Sequence, residues 1–380
     1  MAEDEEGFRY PVLDAAKCLK CGRCLKACPA EELPPHHSNP IEAWGGYVTD
    51  ESVREASTSG GLFSAIADAW CEPDSIVFGA MSDVLSVRHS WVLHRDGIER
   101  FRKSKYIQSE IGDCYLQVRR FLESGKKVLF SGTPCQIAGL SKFLGNDTDQ
   151  DNLLLVEVVC EGVPSPHYIR KFTDWVGKKH GGVVVDVDYR FKDGRRWDFE
   201  VMRTLVSMPD GRKKEIKTDR WFNPFWSIWL QHLISRPSCY ECPFATGSRG
   251  ADITLGDLWG VHLYCPDLYG RNGGSSVVFC NNDKGRNALN LAKPLLFGRC
   301  LSVDSAIRYQ GPMRKHISSN PSRAECMSDL TAMPFKRFVS KWANRPQLSL
   351  LLKKYVWGNR RKVWLWNLLH RNPAKERVRK

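Results

Sequence analysis

Four cysteines packed into CLKCGRCLKACP, namely Cys18, Cys21, Cys24 and Cys28, restrict this chain more than any other feature of its sequence. Two residues between successive thiolates let the backbone wrap the corners of an inorganic cube, and Gly22 eases the tight turn around it. Structural zinc is the competing occupant, but zinc sites usually pair two separated CxxC knuckles and do not use one continuous run. The spacing therefore points to a 4Fe-4S cluster. The chain carries 14 cysteines in all, which in a reducing compartment argues for metal or redox chemistry over a disulfide framework.

The run CxxCxxCxxxCP is that of bacterial-type ferredoxins, in whose two-cluster members the cysteine before the proline serves the other cluster. No second CxxCxxC follows. Cys28 thus either closes the first cluster or serves a second one while a remote thiol completes the first. Remote thiols are present: Cys135 in SGTPCQIAG, Cys160 in VVCEGVPSP, and Cys239 with Cys242 in RPSCYECPF. The first two follow apolar runs, 127–130 and 153–159, that read as buried strands leading through loops into helices. An open parallel sheet binds ligands at the C-terminal ends of its strands, and two strand-end thiols plus a CxxC loop make the four ligands a second cube needs. A free cysteine is otherwise a small buried hydrophobe, and that is the expectation for Cys71, Cys114, Cys265, Cys280, Cys300 and Cys326.

Strands expected at 75–80, 87–93 and 127–130 alternate with helices at 62–70 and 113–123, which argues for an α/β core. From Val183 to Ile216 the pattern turns to alternating strands with a hairpin turn at Pro209-Asp210-Gly211, an inserted β layer. Trp221 to Ile234 reads as an aromatic helix delivering the chain to Cys239. The organisation expected is a cluster segment over 1–35, an α/β cofactor domain over 41–180, a second domain over 181–330 and a basic helical tail over 335–380. His36 and His37 fall in the proline-rich linker and read as solvated.

Two segments have the chemistry of an anion-binding cofactor site. Thr58-Ser59-Gly60-Gly61 opens the helix at 62–70 with hydroxyls at the capping position, where backbone N–H groups and the helix dipole accept a phosphate. Lys103-Ser104-Lys105-Tyr106-Ile107-Gln108-Ser109 offers ammonium groups, hydroxyls and an aromatic ring, suited to a phosphorylated, ring-bearing molecule such as a flavin. An ordinary capped helix and a solvated loop are the plain alternatives. Asp252 and Asp257 either orient a cofactor or pair with Arg249 or Arg236. His167 is the candidate proton donor, set against a capping or surface histidine.

The formal charge of +13 is not spread over the chain: Phe335 to Lys380 holds 14 Lys and Arg against one acid, Glu376, while residues 1–334 hold 42 of each sign. A basic groove for nucleic acid is therefore not expected. The tail interleaves its bases with Trp342, Trp357, Trp364 and Trp366, and over Leu348–Leu369 its apolar residues recur at helical spacing. Such a helix either lies in an anionic membrane surface or docks on the body with a solvated basic face. The longest apolar run, 153–160, is broken by Glu157, so no membrane span is expected. The acidic start, MAEDEE, lacks the features of a secretory signal, which places the protein in the cytoplasm.

The ordered series STSGGLFSAIA, KSKYIQSEIGD, KVLFSGTPCQIAGL, VCEGVPSP, RPSCYECPF and ADITLGDLWG, behind the CxxCxxCxxxCP run, resembles the coenzyme F420 hydrogenase/dehydrogenase beta-subunit family over about residues 15–320. More closely, it is similar to bacterial members often associated with surface-polysaccharide genes. The resemblance implies an iron–sulfur flavoprotein in which FAD beside a 4Fe-4S cluster passes electrons between a donor such as ferredoxin and a two-electron acceptor, coenzyme F420 or another small organic molecule. A non-catalytic electron-transfer subunit of a larger complex is the alternative it leaves, and assembly into an oligomer is compatible with it. Carried over by position, Cys135, Cys160, Cys239 and Cys242 match the family's core cysteines. Flavin binding is expected at Thr58, Ser59, Gly60, Gly61, Ser104, Lys105, Tyr106 and Gln108, and at Thr133 and Gln136 beside Cys135. The single ferredoxin motif, where many relatives have two, leaves one or two clusters open.

Overall fold

The structure, a computed structural model, describes residues 1–30, 39–83, 85–145, 150–193, 197, 200–269 and 273–369. His36 and His37 lie outside the described residues. The strands are β1 (Ala2–Glu3), β2 (Arg9–Tyr10), β3 (Glu42–Val48), β4 (Ile76–Asp83), β5 (Ser86–Leu93), β6 (Val128–Gly132), β7 (Leu153–Val158), β8 (Val183–Asp188), β9 (Met202–Ser207), β10 (Lys213–Thr218), β11 (Ile253–Asp257), β12 (Ser276–Cys280) and β13 (Leu296–Leu301).

A mixed sheet runs β13-β3-β12-β11-β7-β6-β4-β5, and its central strands β11, β7, β6 and β4 are parallel. Helices cover both faces, so these strands can be apolar on every residue instead of alternating. Val77, Leu129 and Leu154 pack toward helices Leu62–Trp70 and Asp283–Ala292. Phe78, Phe130 and Leu155 pack toward helices Cys114–Glu123 and Pro134–Leu144. The α/β class read from the sequence is what the chain folds into.

The inserted layer is the antiparallel sheet β10-β9-β8, with Gly211 at φ +82° in the hairpin turn between β9 and β10. It covers a second core in which Tyr168, Phe225, Trp226 and Ile228 have almost no exposure. The helix expected over 221–234 is shorter, Pro224–Trp229. It starts where the Asn223 side chain accepts from Phe225 N–H and Pro224 supplies the first turn, and His232, at φ +58°, takes the chain out of helical conformation.

The tail does not separate from the body at Phe335. Helix Phe335–Trp342 buries Phe338 in the second core, and Trp342 Nε1 donates to Asp329 at 2.9 Å. Beyond it the single helix expected over 348–369 is broken: helix Leu348–Leu351 runs into a wide π turn, Leu352–Trp357, and Gly358 at φ +54° starts the last helix, Gly358–Leu369. Among the described residues no helix is long and apolar enough to cross a membrane. Cys114, Cys265, Cys280 and Cys326 are buried as expected, Cys71 is half-buried, and Cys300 is exposed because β13 is the edge strand.

Candidate cluster and cofactor site

Three neighbouring parallel strands end at one rim. β6 passes through Thr133 into helix Pro134–Leu144, whose second residue is Cys135; β7 leads to Cys160; β11 ends at Asp257. Pro134 fits the first helical position, and a reciprocal cap in which Gln136 Oε1 accepts from Thr133 N–H at 3.0 Å fixes the turn that presents Cys135. The Thr133 hydroxyl lies 3.2 Å from the Cys135 sulfur. Cys239 and Cys242 arrive on a 3-10 turn, Pro237–Glu241, pinned to the loop after Cys160 by Arg236 N–H to Val163 O at 3.0 Å.

The four thiols converge. Burial pushes the Cys160 thiol far up, and Cys135, Cys239 and Cys242 each add to the shift, as they can only at short range. Burial likewise carries Cys239 up to about 11, with Cys135 and Cys242 adding to it, and raises Cys242 with Cys135 adding to it. Gly162, at φ +94°, lets the chain pass so close that a Cβ there would stand 3.2 Å from Cys239 Cβ and 3.5 Å from its sulfur. Gln136 N–H donates to Thr133 O at 2.9 Å and Ala245 N–H to Cys242 O at 3.3 Å, which holds the backbone in place around Cys135 and Cys242. Cys135 is exposed, whereas Cys160, Cys239 and Cys242 are half-buried.

Among the described residues no three His, Cys, Asp or Glu side chains close around a single metal ion. A cube distributes its thiolates over different irons, so its ligands stand farther apart than those of one ion. Four thiols brought together from three separate stretches fit a thiolate-bound cluster.

The ferredoxin-like run is more open: Cys21 and Cys24 are exposed, Cys18 and Cys28 half-buried. Lys20, at φ +54°, directs its N–H to the Cys18 sulfur at 3.4 Å, and Gly22, at φ +70°, starts the short helix Arg23–Lys26 that carries Cys24. Lys142 Nζ donates to Cys28 O at 3.4 Å, tying this run to the same helix that presents Cys135.

The two segments expected to bind a flavin are adjacent. Ser104 N–H donates to Thr58 Oγ1 at 2.7 Å, and the loop from Lys103 then runs toward the thiols: Tyr106 Oη accepts from Arg190 at 3.3 Å, Gln108 accepts from Arg236, and the Ser109 hydroxyl accepts from Gln136 Nε2 at 2.8 Å. Two details differ from the sequence reading. The hydroxyls do not cap helix Leu62–Trp70; its N-cap is Gly61 at φ +82°, while Ser59 Oγ donates to Ser275 O and Thr58 meets Ser104. Gly60 makes its close approach to the protein's own sheet, since a Cβ there would meet Gly46 O at 2.5 Å. The Tyr106 ring is packed by Tyr189, Trp226 and Trp229, which leaves its hydroxyl as the group turned to the site.

Two of the neighbouring cations, Arg190 and Lys192, were not singled out in the sequence because they lie on the inserted layer, whereas Lys103 and Lys105 belong to the loop already expected to bind. Lys192 Nζ donates to Ser59 O at 2.7 Å and to Arg54 O, and burial lowers its pKa to about 7. Lys105 donates to Arg102 O at 2.6 Å, and burial lowers it to about 8. Lys103 pairs with Asp188. Burial opposes the charge of Arg190, but Asp257 at 2.9 Å, with Tyr106 and Glu200, outweighs it and holds the guanidinium protonated. Asp257 is thus paired with Arg190, while Arg249 pairs with Glu157 and Asp252 accepts from Leu155 N–H at 2.7 Å, so neither aspartate takes the arginine partner expected of it. Trp197 and Trp259 lie 5.3 Å apart beside Arg190, and the Trp197 Nε1 and Arg190 Nη2 are buried without hydrogen-bond partners among the described residues. Half-buried ammonium groups, orphaned donors and indole rings fit an anionic, ring-bearing ligand.

His167 lies elsewhere, at the start of helix Pro166–Lys179 capped by Ser165. Burial lowers its pKa, and its charged neighbours are Lys171, Arg170 and Glu3 and not the thiols.

Residues 125–295 match the family described as the C terminus of the coenzyme F420 hydrogenase/dehydrogenase beta subunit, a stretch that contains Cys135, Cys160, Cys239 and Cys242. None of the curated proteins matches. Among solved structures, a chain of the F420-reducing NiFe hydrogenase complex from Methanosarcina barkeri, studied by xenon derivatization, is similar at 15% identity, with a TM-score of 0.45, over 81% of this chain and 91% of that one.

Proposed function

We propose that this chain, which over residues 125–295 matches the C terminus of the coenzyme F420 hydrogenase/dehydrogenase beta subunit, is a member of that family and an iron–sulfur flavoprotein oxidoreductase. In this reading it passes electrons between an iron–sulfur donor such as ferredoxin and a two-electron acceptor, coenzyme F420 or another small organic molecule. The observation that carries the reading is the convergence of Cys135, Cys160, Cys239 and Cys242, from three separate stretches, at the end of a loop whose other end meets Thr58.

Cys135, Cys160, Cys239 and Cys242 would hold an inner 4Fe-4S cluster, and Cys18, Cys21, Cys24 and Cys28 an outer one. Thr58 to Gly61, Ser104, Lys105, Tyr106, Gln108, Thr133 and Gln136 would line the FAD site together with Lys192 and Arg190. A cluster supplies one electron at a time and a flavin accepts one or two, so the pair converts single-electron supply into two-electron reduction. The chain's own contribution is placement. Helix Pro134–Leu144 carries Cys135 at its start and Lys142, bonded to Cys28 O, seven residues on, which is about 10 Å along the axis. Lys105 and Lys192, held on backbone carbonyls, would neutralise phosphate charge, and the Arg190–Asp257 pair fixes a charge beside the indole rings of Trp197 and Trp259.

Anaerobic purification with iron, sulfide and flavin quantified per chain tests the reading. About eight irons and one FAD per chain are expected, falling to about four irons in Cys160→Ser. A colourless chain without iron overturns it. Flavin-loaded protein that turns over no dye or deazaflavin unless another polypeptide is added would identify the chain as an electron-transfer subunit instead.

We further place the tail against an anionic membrane surface. Leu348, Leu352, Trp357, Trp364 and Leu369 are all more than half exposed, and the segment from Arg345 holds eleven of the chain's Lys and Arg residues. Each base near such a surface contributes about 1 kcal/mol. Because helix Phe335–Trp342 belongs to the core, the informative truncation falls after Asn344. Anionic vesicles should sediment the full chain in low salt and leave the truncated one in solution; equal behaviour refutes the placement.

A further inference from the structure

Arg236 stands where the Cys160 loop, the Cys239 turn, the loop from Lys103 and the N-terminal ribbon meet. Its backbone N–H donates to Val163 O at 3.0 Å, next to the Cys160 loop, and its carbonyl accepts from Cys239 N–H at 2.9 Å. Its guanidinium donates to Gln108 in the proposed flavin loop and to Arg9 O at 3.0 Å in the N-terminal ribbon. The Tyr10 ring lies 4.4 Å from the guanidinium carbon and the Phe8 ring 5.6 Å from it. That ribbon is itself anchored, with Glu6 paired to Arg323 and Glu3 to Arg170. The cation is close enough to the thiols to act on Cys135 and Cys239.

Arg249, the other cation acting on this site, is matched by Glu157. Arg236 forms no ion pair with a carboxylate among the described residues. Its partners are a carbonyl, an amide and ring faces, none of which cancels its charge.

Resting on the proposed inner cluster, we infer that Arg236 is a positioning residue that sets the reduction potential of that cluster, its unneutralised charge held in place by Gln108 and the ribbon carrying Phe8 and Tyr10. Reduction adds one negative charge to a cluster already ringed by four thiolates. A fixed cation nearby stabilises the reduced form over the oxidised one and raises the potential; net charge around the sulfurs is one of the levers a protein has on such a site.

The test uses the full chain with Cys18, Cys21, Cys24 and Cys28 replaced by serine, so that only the inner cluster titrates, followed by EPR during an anaerobic redox titration. Arg236→Met should retain iron and sulfide per chain and lower the potential by at least tenfold in the reduction equilibrium, which for a one-electron couple is about 59 mV. Arg236→Lys, which keeps charge but not the fork, should stay near the parent. An unchanged potential in Arg236→Met overturns the inference, as does loss of iron in both variants, which would make Arg236 a structural part of the loop. If the parent itself holds no iron, the cluster reading fails first, and the inference falls with it.

Discussion

The ion pair between Glu157 on β7 and Arg249 is buried on both sides, at 1% and 2% side-chain exposure. The Glu157 carboxylate also accepts from Thr254 Oγ1 at 2.8 Å, and Arg249 Nη1 donates to Phe244 O at 3.1 Å and Thr246 O at 3.0 Å. The pair therefore ties the segment after Cys242 to the central sheet. Glu157→Gln keeps the shape and removes the charge, leaving a guanidinium in the interior with carbonyls alone. Breaking a buried pair from one side costs about 3–5 kcal/mol. The retained carbonyl bonds put the expected value at the lower end, about 3 kcal/mol, or two orders of magnitude in the folded-to-unfolded ratio. The assay is urea unfolding followed by tryptophan fluorescence, comparing midpoints at constant slope. Glu157→Leu combined with Arg249→Met, which removes both charges, should lose less than Glu157→Gln alone, because an apolar pair needs no compensation. In Glu157→Gln the Cys239 and Cys242 thiols should also label faster. A loss under about 1 kcal/mol, or a double variant as damaged as the sum of its parts, refutes the reasoning.

Other consequences can be measured separately. His89 is buried and its pKa is lowered to about 4 by that burial; the unfolded chain then binds the extra proton between pH 6.5 and 4, so stability falls as pH drops through that window, by roughly 3 kcal/mol at most, and replacing His89 by Asn should flatten this acid limb of the unfolding curve. Gly60→Ala would press a Cβ to 2.5 Å from Gly46 O and 2.8 Å from Ser276 N, backbone atoms that cannot step aside, so a loss of about 1–3 kcal/mol is expected in the same urea assay. Lys192→Met and Lys105→Met together should weaken FAD retention at least tenfold, read by flavin fluorescence after gel filtration, while leaving iron per chain unchanged. Full flavin occupancy in that double variant would remove both ammonium groups from the proposed phosphate site.

Local signals carried strands β4 to β7 and β11 and singled out the thiols, but they did not mark β3, β12 and β13. The apolar runs of β6 and β7 announce strands buried on both faces, and the residues that follow them, Thr133-Pro134-Cys135 and Cys160, mark where a ligand-facing rim would lie. The Pro209-Asp210-Gly211 turn and the alternating strands of the inserted layer were equally legible, because turn chemistry and alternation act over a few residues. The length of the helix at Pro224–Trp229 was not. Aromatic periodicity continues past Trp229, but His232 adopts a left-handed conformation that no propensity indicates. Nor did the hydropathy of the tail reveal that Phe338 sits in the core while Leu348 does not, since both helices read as basic and amphipathic.

By itself the sequence determined which atoms are available: eight thiols in ligand spacing, two lysines and a glycine pair near hydroxyls, and a neutral body with a basic end. Spacing along a chain is covalent, so it survives any fold. Tertiary structure alone decided that Arg190, Lys192 and Trp197 from the inserted layer stand beside Thr58 and Tyr106, that Asp257 answers Arg190, and that Arg236 lies beside the thiols with no carboxylate partner among the described residues. Those are meetings between residues far apart in sequence, set by how two cores pack, and burial is what gives each unpaired charge its strength.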